Sequence, residues 1–262
     1  MPYADLHVHT TRSDGSLDLE MVPDAARRAG VEVVAVTDHD RAQPFDAPVV
    51  EQDGVTIVSG IELRVETPGG ERVDLLGYGV DPTPDLEGVL EYIQTDRIER
   101  GQAIVDCVEA RLDVDLGVTV TDGFGRPHVA RAIDAHPDLE YDYEDAFDRL
   151  IGSGDPCFVA RDVPSFERGL AALTASCRLV SLAHPLRYRD PEQALALTAE
   201  PTLEGVELQY PYNRNDDLDR SVVERAIEEH NLVATGGSDA HGEELGGAGL
   251  SRREYEQLAL TT

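Results

Sequence analysis

Apolar positions in the first eighty residues fall into short runs separated by polar turns. Tyr3 to His9, Val31 to Thr37, Val55 to Leu63 and Arg72 to Val80 read as strands that end at Asp, His or Glu. Between the first two, Leu19, Val22, Ala25, Ala26 and Ala29 recur on one face of a helix spanning about Asp18 to Ala29, with Gly30 where a helix stop belongs. From Asp81 to Cys177 helical spacing takes over, as in Ile104, Val108 and Leu112. Strand patterns return at Arg178 to Ala183, Gly205 to Leu208 and Leu232 to Thr235, the last opening into Gly236-Gly237-Ser238-Asp239-Ala240-His241-Gly242. Strands with polar carboxyl ends predict a βα barrel or layered α/β sheet from residues 1–80 and 178–262, with a helical insertion over 81–177. No internal repeat or low-complexity linker interrupts the pattern.

Composition narrows the function. The 262 residues, 41% of them hydrophobic, suit one α/β domain with an insertion, and the formal charge of −30 excludes a basic nucleic-acid-binding surface. All 22 basic residues are arginine. Acidic residues spread along the whole chain point to a salt-rich cytoplasm, where a Debye length of about 3 Å at 1 M lets carboxylates crowd, more than to one cationic partner. Cys107, Cys157 and Cys177 are widely spaced and imply neither a disulfide framework nor a zinc knuckle. Without a basic and apolar leader or an uncharged run of about 20 residues, the protein is expected to be cytoplasmic and free of membranes.

The eight histidines carry the chemistry through their placement. His7, His9, His39, His184 and His241 each follow a predicted strand, and the two-residue spacing of His7 and His9 points both imidazoles to one face. Asp14 follows in Ser13-Asp14-Gly15, and Asp239 and His241 repeat the two-residue spacing. Glu62 is the lone acid of an apolar run, costly there unless paired or metal-bound, and able to bridge two ions. Mixed nitrogen and oxygen ligands suit manganese, iron, zinc or magnesium. Asp38 and Asp40 flank His39, either orienting it or capping a turn. Tyr210 could stack on a base or simply pack, and His136 and His230 read as solvent-facing.

Asp5-Leu6-His7-Val8-His9, Ser13-Asp14-Gly15, Thr37-Asp38-His39-Asp40, Gly60-Ile61-Glu62-Leu63, Ala183-His184-Pro185 and Gly237-Ser238-Asp239-Ala240-His241-Gly242 resemble, in order, the motifs of the PHP (polymerase and histidinol phosphatase) phosphoesterase superfamily. The resemblance implies a distorted (β/α)7 barrel with a trinuclear metal site. His7, His9, Glu62 and Asp239 would hold one ion, Asp14, His39 and His241 a second, and Glu62 with His184 a third. Asp74 stands where related proteins usually have histidine, and its harder, shorter carboxylate favours manganese or magnesium over zinc. Two or three divalent ions, manganese first, would supply a metal-bound hydroxide, with no side chain singled out as acid or base.

Leu75 to Asp81, the insertion and Gly125-Arg126-Pro127-His128 are similar to the nucleoside-bisphosphate and oligoribonucleotide phosphatase branch. On that resemblance Arg126 and His128, with Arg187 as a weaker candidate, would bind the substrate, and the insertion would form a lid. A small phosphorylated substrate is expected, a nucleotide or the 5′ end of a short oligonucleotide, with no stable duplex binding. The alternatives are a histidinol-phosphate phosphatase and a catalytically idle module kept for protein contacts. Nothing in the pattern specifies an oligomeric state.

Overall fold

The computed structural model describes residues 1–212 and 218–260. Its strands are β1 (Ala4–Val8), β2 (Val33–Val36), β3 (Val49–Gln52), β4 (Val55–Glu66), β5 (Arg72–Tyr78), β6 (Leu179–Leu182), β7 (Gly205–Gln209) and β8 (Val233–Gly236). Hydrogen bonding orders seven of them β1-β2-β4-β5-β6-β7-β8, with β3 added beside β4. The two ends of that path meet where Ala240 accepts the His9 N–H at 2.9 Å and donates its own N–H to the His7 carbonyl at 3.3 Å. The result is an α/β sheet curled into a distorted barrel. Gly237 permits the closure, since a Cβ there would stand 2.2 Å from the His7 nitrogen.

The helices are α1 (Val22–Ala29), α2 (Pro84–Leu112), α3 (Arg126–Asp134), α4 (Tyr143–Ala146), α5 (Phe166–Ser176), α6 (Pro191–Ala196), α7 (Ser221–His230) and α8 (Arg252–Gln257). Alternation sorts the core. Val33 and Ala35 of β2 pack with Leu6, Leu76, Tyr78 and the α8 residue Tyr255, whereas Val34 and Val36 pack with Val22, Ala25 and Ala26 of α1.

Three features depart from the sequence reading. Strand β5 runs antiparallel to both β4 and β6, so its beginning, not its end, joins the carboxyl ends of the parallel strands. That places Asp74 at the functional rim and Asp81 away from it. Strand β3 was hidden by its short length, although Asp53 (φ 50°) and Gly54 (φ 80°) form a two-residue hairpin turn with both residues at positive φ.

The third departure is the insertion, which is shorter than 81–177. The chain divides into one unit of residues 1–89 and 164–262 and a second of residues 90–163. Helix α5 belongs to the barrel, because Gly169 lets it approach β4 so closely that a Cβ would meet Val65 at 2.4 Å. The second unit has its own core, built on Ile104, Val108, Phe124, Val129, Ile133 and Ile151. Against the expectation from spacing, Cys107 and Cys157 form a disulfide within it. Their 50-residue separation gave no local signal, yet α2 folds back beside the loop that carries Cys157. Cys177 is free, with burial pushing its thiol up to about 12. Among the described residues no helix is long and apolar enough to cross a membrane.

Candidate metal centre

The parallel strands deliver their polar ends to one point, and Glu62 occupies it. One carboxylate oxygen lies 2.9 Å from His39 Nδ1, 3.3 Å from His9 Nε2 and 3.5 Å from His7 Nε2, and the other lies 3.0 Å from His184 Nε2. Asp239 Oδ1 stands 3.2 Å from His9 Nε2 and 3.4 Å from His7 Nε2. Asp14 approaches His241 Nε2 at 3.3 Å, His39 Nε2 at 3.6 Å and His9 Nδ1 at 3.7 Å. The backbone is forced here, with Asp40, His184 and Asp239 all at positive φ, a strain that persists only where the surroundings impose it.

These distances fit ions. Ligand atoms about 2.1 Å from one ion stand roughly 3.0–3.4 Å from each other. Nε2 of His7 and both ring nitrogens of His9 are buried without a hydrogen-bond partner among the described residues, so each ring can turn its one lone pair to an ion. His7, His9 and Asp239 form one group able to hold an ion, and His9, Asp14, His39 and His241 form another. His9 thus stands between both groups and can complete either with its one lone pair, a placement that motif order does not reveal.

Electrostatics show the same demand for positive charge. Burial pushes the Glu62 carboxyl up, but His39, His7 and His184 outweigh it and hold it well below the usual carboxylate range. Asp14 and Asp239 are likewise pushed up by burial and drawn down further by their imidazole neighbours. In return His39 rises to about 9, its burial overcome by Glu62 and Asp14, and His7 rises through Glu207 and Glu62. Where no ion is bound, protons on the rings would balance these carboxylates.

A supporting layer fixes the rings. Glu207 was missed in the sequence, although it shares the signal of Glu62, a lone acid in the apolar Gly205-Val206-Glu207-Leu208. Its oxygens lie 3.1 and 3.3 Å from His7 Nδ1, and it also accepts the His184 N–H at 2.8 Å. With the Nδ1 proton held by Glu207, His7 turns the Nε2 lone pair to the centre. The Asp239 carbonyl, 2.9 Å from His241 Nδ1, does the same for His241. Asp5 is buried and clamps β1 to the loop after β8, accepting from Ser238 N–H at 2.8 Å, Ser238 Oγ at 2.6 Å and Gly246 N–H at 2.8 Å. Asp38 ties down the loop after β1, accepting from Thr10 N–H and Oγ1, both at 2.7 Å, and from Ser13 Oγ at 2.6 Å. Asp40 accepts the Arg64 backbone N–H at 3.3 Å.

Asp74 reaches the centre differently. It groups with Glu62 and His184, yet Arg64 grips it through two parallel bonds, Nε to Oδ1 at 2.8 Å and Nη2 to Oδ2 at 2.7 Å. Arg187 stands at the rim, its Nη1 2.8 Å from both Asp239 Oδ2 and the Tyr210 hydroxyl. Tyr210 donates to the same Asp239 oxygen at 2.7 Å, so its hydroxyl supports a ligand. Arg126 and His128 belong to the second unit, at the start of α3. His128 stacks on Phe124 with ring centroids 5.2 Å apart, and Arg126 lies over the Phe147 and Phe158 rings. His136 sits in the second unit after α3, and His230 ends α7.

A barrel whose strand ends bring five imidazoles and four carboxylates to one rim defines a metal-dependent phosphoesterase, a hydrolase. Residues 5–156 match the PHP domain model, and the chain belongs to the PHP domain family. It is 31% identical over 249 residues to phosphoribosyl 1,2-cyclic phosphate 1,2-diphosphodiesterase of Eggerthella lenta, covering 91% of this chain and 94% of that protein. To 3′,5′-nucleoside bisphosphate phosphatase of Chromobacterium violaceum it is 27% identical, covering 97% and 92%. A Bifidobacterium adolescentis structure assigned as a metal-dependent phosphoesterase shares the fold with a TM-score of 0.77 at 24% identity, covering 97% of this chain and 94% of that one.

Two expectations follow from the centre. Glu207→Gln turns an amide N–H toward His7 Nδ1, favours the wrong tautomer, and lowers affinity for manganese by about 10- to 100-fold in a calorimetric titration. The raised values of His39, His7 and His241 mean that ring protonation stabilises the metal-free fold fully below about pH 6.5. That stabilisation is lost as pH rises through about 9. Chelator-treated protein therefore melts at lower temperature at about pH 9.5 than at about pH 6.5. Saturating divalent ion, which binds deprotonated rings, removes or reverses that slope.

Proposed function

We propose that the protein releases phosphate from a nucleotide-like monoester carrying a second phosphate, with a 3′,5′-nucleoside bisphosphate as the first substrate and manganese as the ion. The observation that carries this reading is the metal centre of the first unit with Arg187 at its rim, Nη1 2.8 Å from Asp239 Oδ2. The second unit, taken by itself, gathers arginines of its own. Arg100 is 8% exposed, donates Nε–H to the Val159 carbonyl at 2.8 Å, and is pushed down to about 10 by burial and by the charges of Arg126, Arg161 and Arg97. Asp96 is the acid beside these guanidiniums, and a guanidinium takes a phosphate through paired N–H donors. The same unit has a cavity of about 380 Å³ lined in part by Thr121, Asp122, Phe124, His128 and Arg131.

Divalent ions held by the histidine and carboxylate groups would supply charge neutralisation for the phosphoryl oxygens and an activated water. The chain itself orients those ions through Glu207 and Asp5, and presents Arg187 at the rim to a phosphate oxygen. Burial and the neighbouring Asp239 push the Tyr210 hydroxyl up, so it remains a donor. The Chromobacterium relative's name supports the bisphosphate. The higher identity to the Eggerthella protein favours a second reading, in which a ribosyl cyclic phosphate is opened at the same centre.

Phosphate release is to be compared for adenosine 3′,5′-bisphosphate, a ribosyl 1,2-cyclic phosphate, a 5′-phosphorylated short RNA and histidinol phosphate. The bisphosphate should turn over fastest, histidinol phosphate at background, and the His7→Ala, His9→Ala double variant at background on all. Preference for the cyclic ester would select the second reading, and turnover surviving the double change would refute both.

The charge and the absence of lysine support a salt-rich environment. Raising KCl from about 0.1 M to about 2 M should raise both the melting temperature and the rate, since screening relieves self-repulsion and eases the approach of an anionic substrate. Identical values in the two salts would contradict that habitat.

A further inference from the structure

The third acidic group of the centre contains a cation that belongs to the chain. Asp74 is 2% exposed, and its two oxygens are each taken by one nitrogen of Arg64, at 2.8 and 2.7 Å. The two residues are direct partners across the antiparallel β4 and β5 pair, so the backbone register sets the fork opposite the carboxylate. The Tyr188 hydroxyl accepts the Asp74 N–H at 2.8 Å and holds that residue in place. His184 Nε2 stands 3.0 Å from Glu62 but 3.8 Å from Asp74.

Resting on the metal-dependent reading above, we propose that the protein holds two divalent ions and that the guanidinium of Arg64 takes the place of a third. A dication on Glu62, Asp74 and His184 would meet a guanidinium that cannot shed its proton. Moving Arg64 aside would strip a charge-assisted, two-bond pair from a buried carboxylate. An imidazole at position 74 would need no such partner, whereas an aspartate there brings a negative charge that Arg64 neutralises. The pair uses Nε and Nη2, and Nη1 remains outside it as a donor for a phosphoryl oxygen. Arg64 is thereby a positioning residue for both Asp74 and the substrate.

The test is a metal count on manganese-loaded protein, dialysed and assayed by plasma mass spectrometry. Wild type and Arg64→Lys should carry about two ions per chain, and the Arg64→Ala, Asp74→His double variant about three, because it removes the guanidinium and supplies a ligand. Arg64→Lys, which keeps a charge but loses the fork, should raise KM for the phosphate ester about tenfold with little change in kcat. Three ions in wild type would overturn the proposal, as would a double variant that keeps its melting transition and stays at two. If the double variant does not fold, the wild-type count and the Arg64→Lys split of KM from kcat still decide. No bound ion in wild type would instead refute the metal-dependent reading on which the proposal stands.

Discussion

The architecture answers to one constraint, the burial of the Glu62 carboxylate. At 1% exposure it can remain charged only where positive charge reaches it from several directions. Four imidazole nitrogens within 3.5 Å meet that requirement, and they come from β1, from the turn after β2 and from the turn after β6. No single hairpin or helix could supply them. Parallel strands that end together on one rim can, which is why the closure of β8 on β1 and the register of β4 on β2 matter more to this site than any one ligand.

The same constraint decides what is visible in the sequence. Histidines after strands, the His7 and His9 spacing, Asp14, Asp239 and the lone Glu62 were legible because a polar residue that ends an apolar run is costly to bury unless it meets a ligand or a partner. Glu207 carries the same mark as Glu62, but no neighbouring motif accompanies it, and its role depends on strand β7 lying close to β1 in space. Arg64 was invisible on different grounds. On an alternating strand it reads as one more outward residue, and only the antiparallel register of β5 sets Asp74 in front of it.

Seven of the eight strands were legible, and the direction of one was not. Periodicity marks Arg72 to Val80 as extended but says nothing of its sense, which follows from the short five-residue connection between Glu66 and Arg72 that can only make a hairpin. The disulfide was lost to distance in the chain, and the insertion was drawn too long because α5 looks like the helices before it. What assigns α5 to the barrel is the smallness of Gly169 against Val65, a packing fact with no periodic signature.

Arginine is the sole strong cation of this chain, and it differs from lysine in ways that matter here. A lysine ammonium is a flexible, strongly hydrated point charge, whereas a guanidinium holds a fixed fork and sheds water more readily. At high ionic strength, where long-range attraction is screened, only contacts made at hydrogen-bonding distance keep their strength. The chain uses arginine at such distances, Arg64 on Asp74, Arg187 on Asp239 and Tyr210, and Arg100 on the Val159 carbonyl. A surface of charge −30 that repels phosphate in dilute buffer is then compatible with a site that binds it, provided that the donors are already aimed and the salt is high.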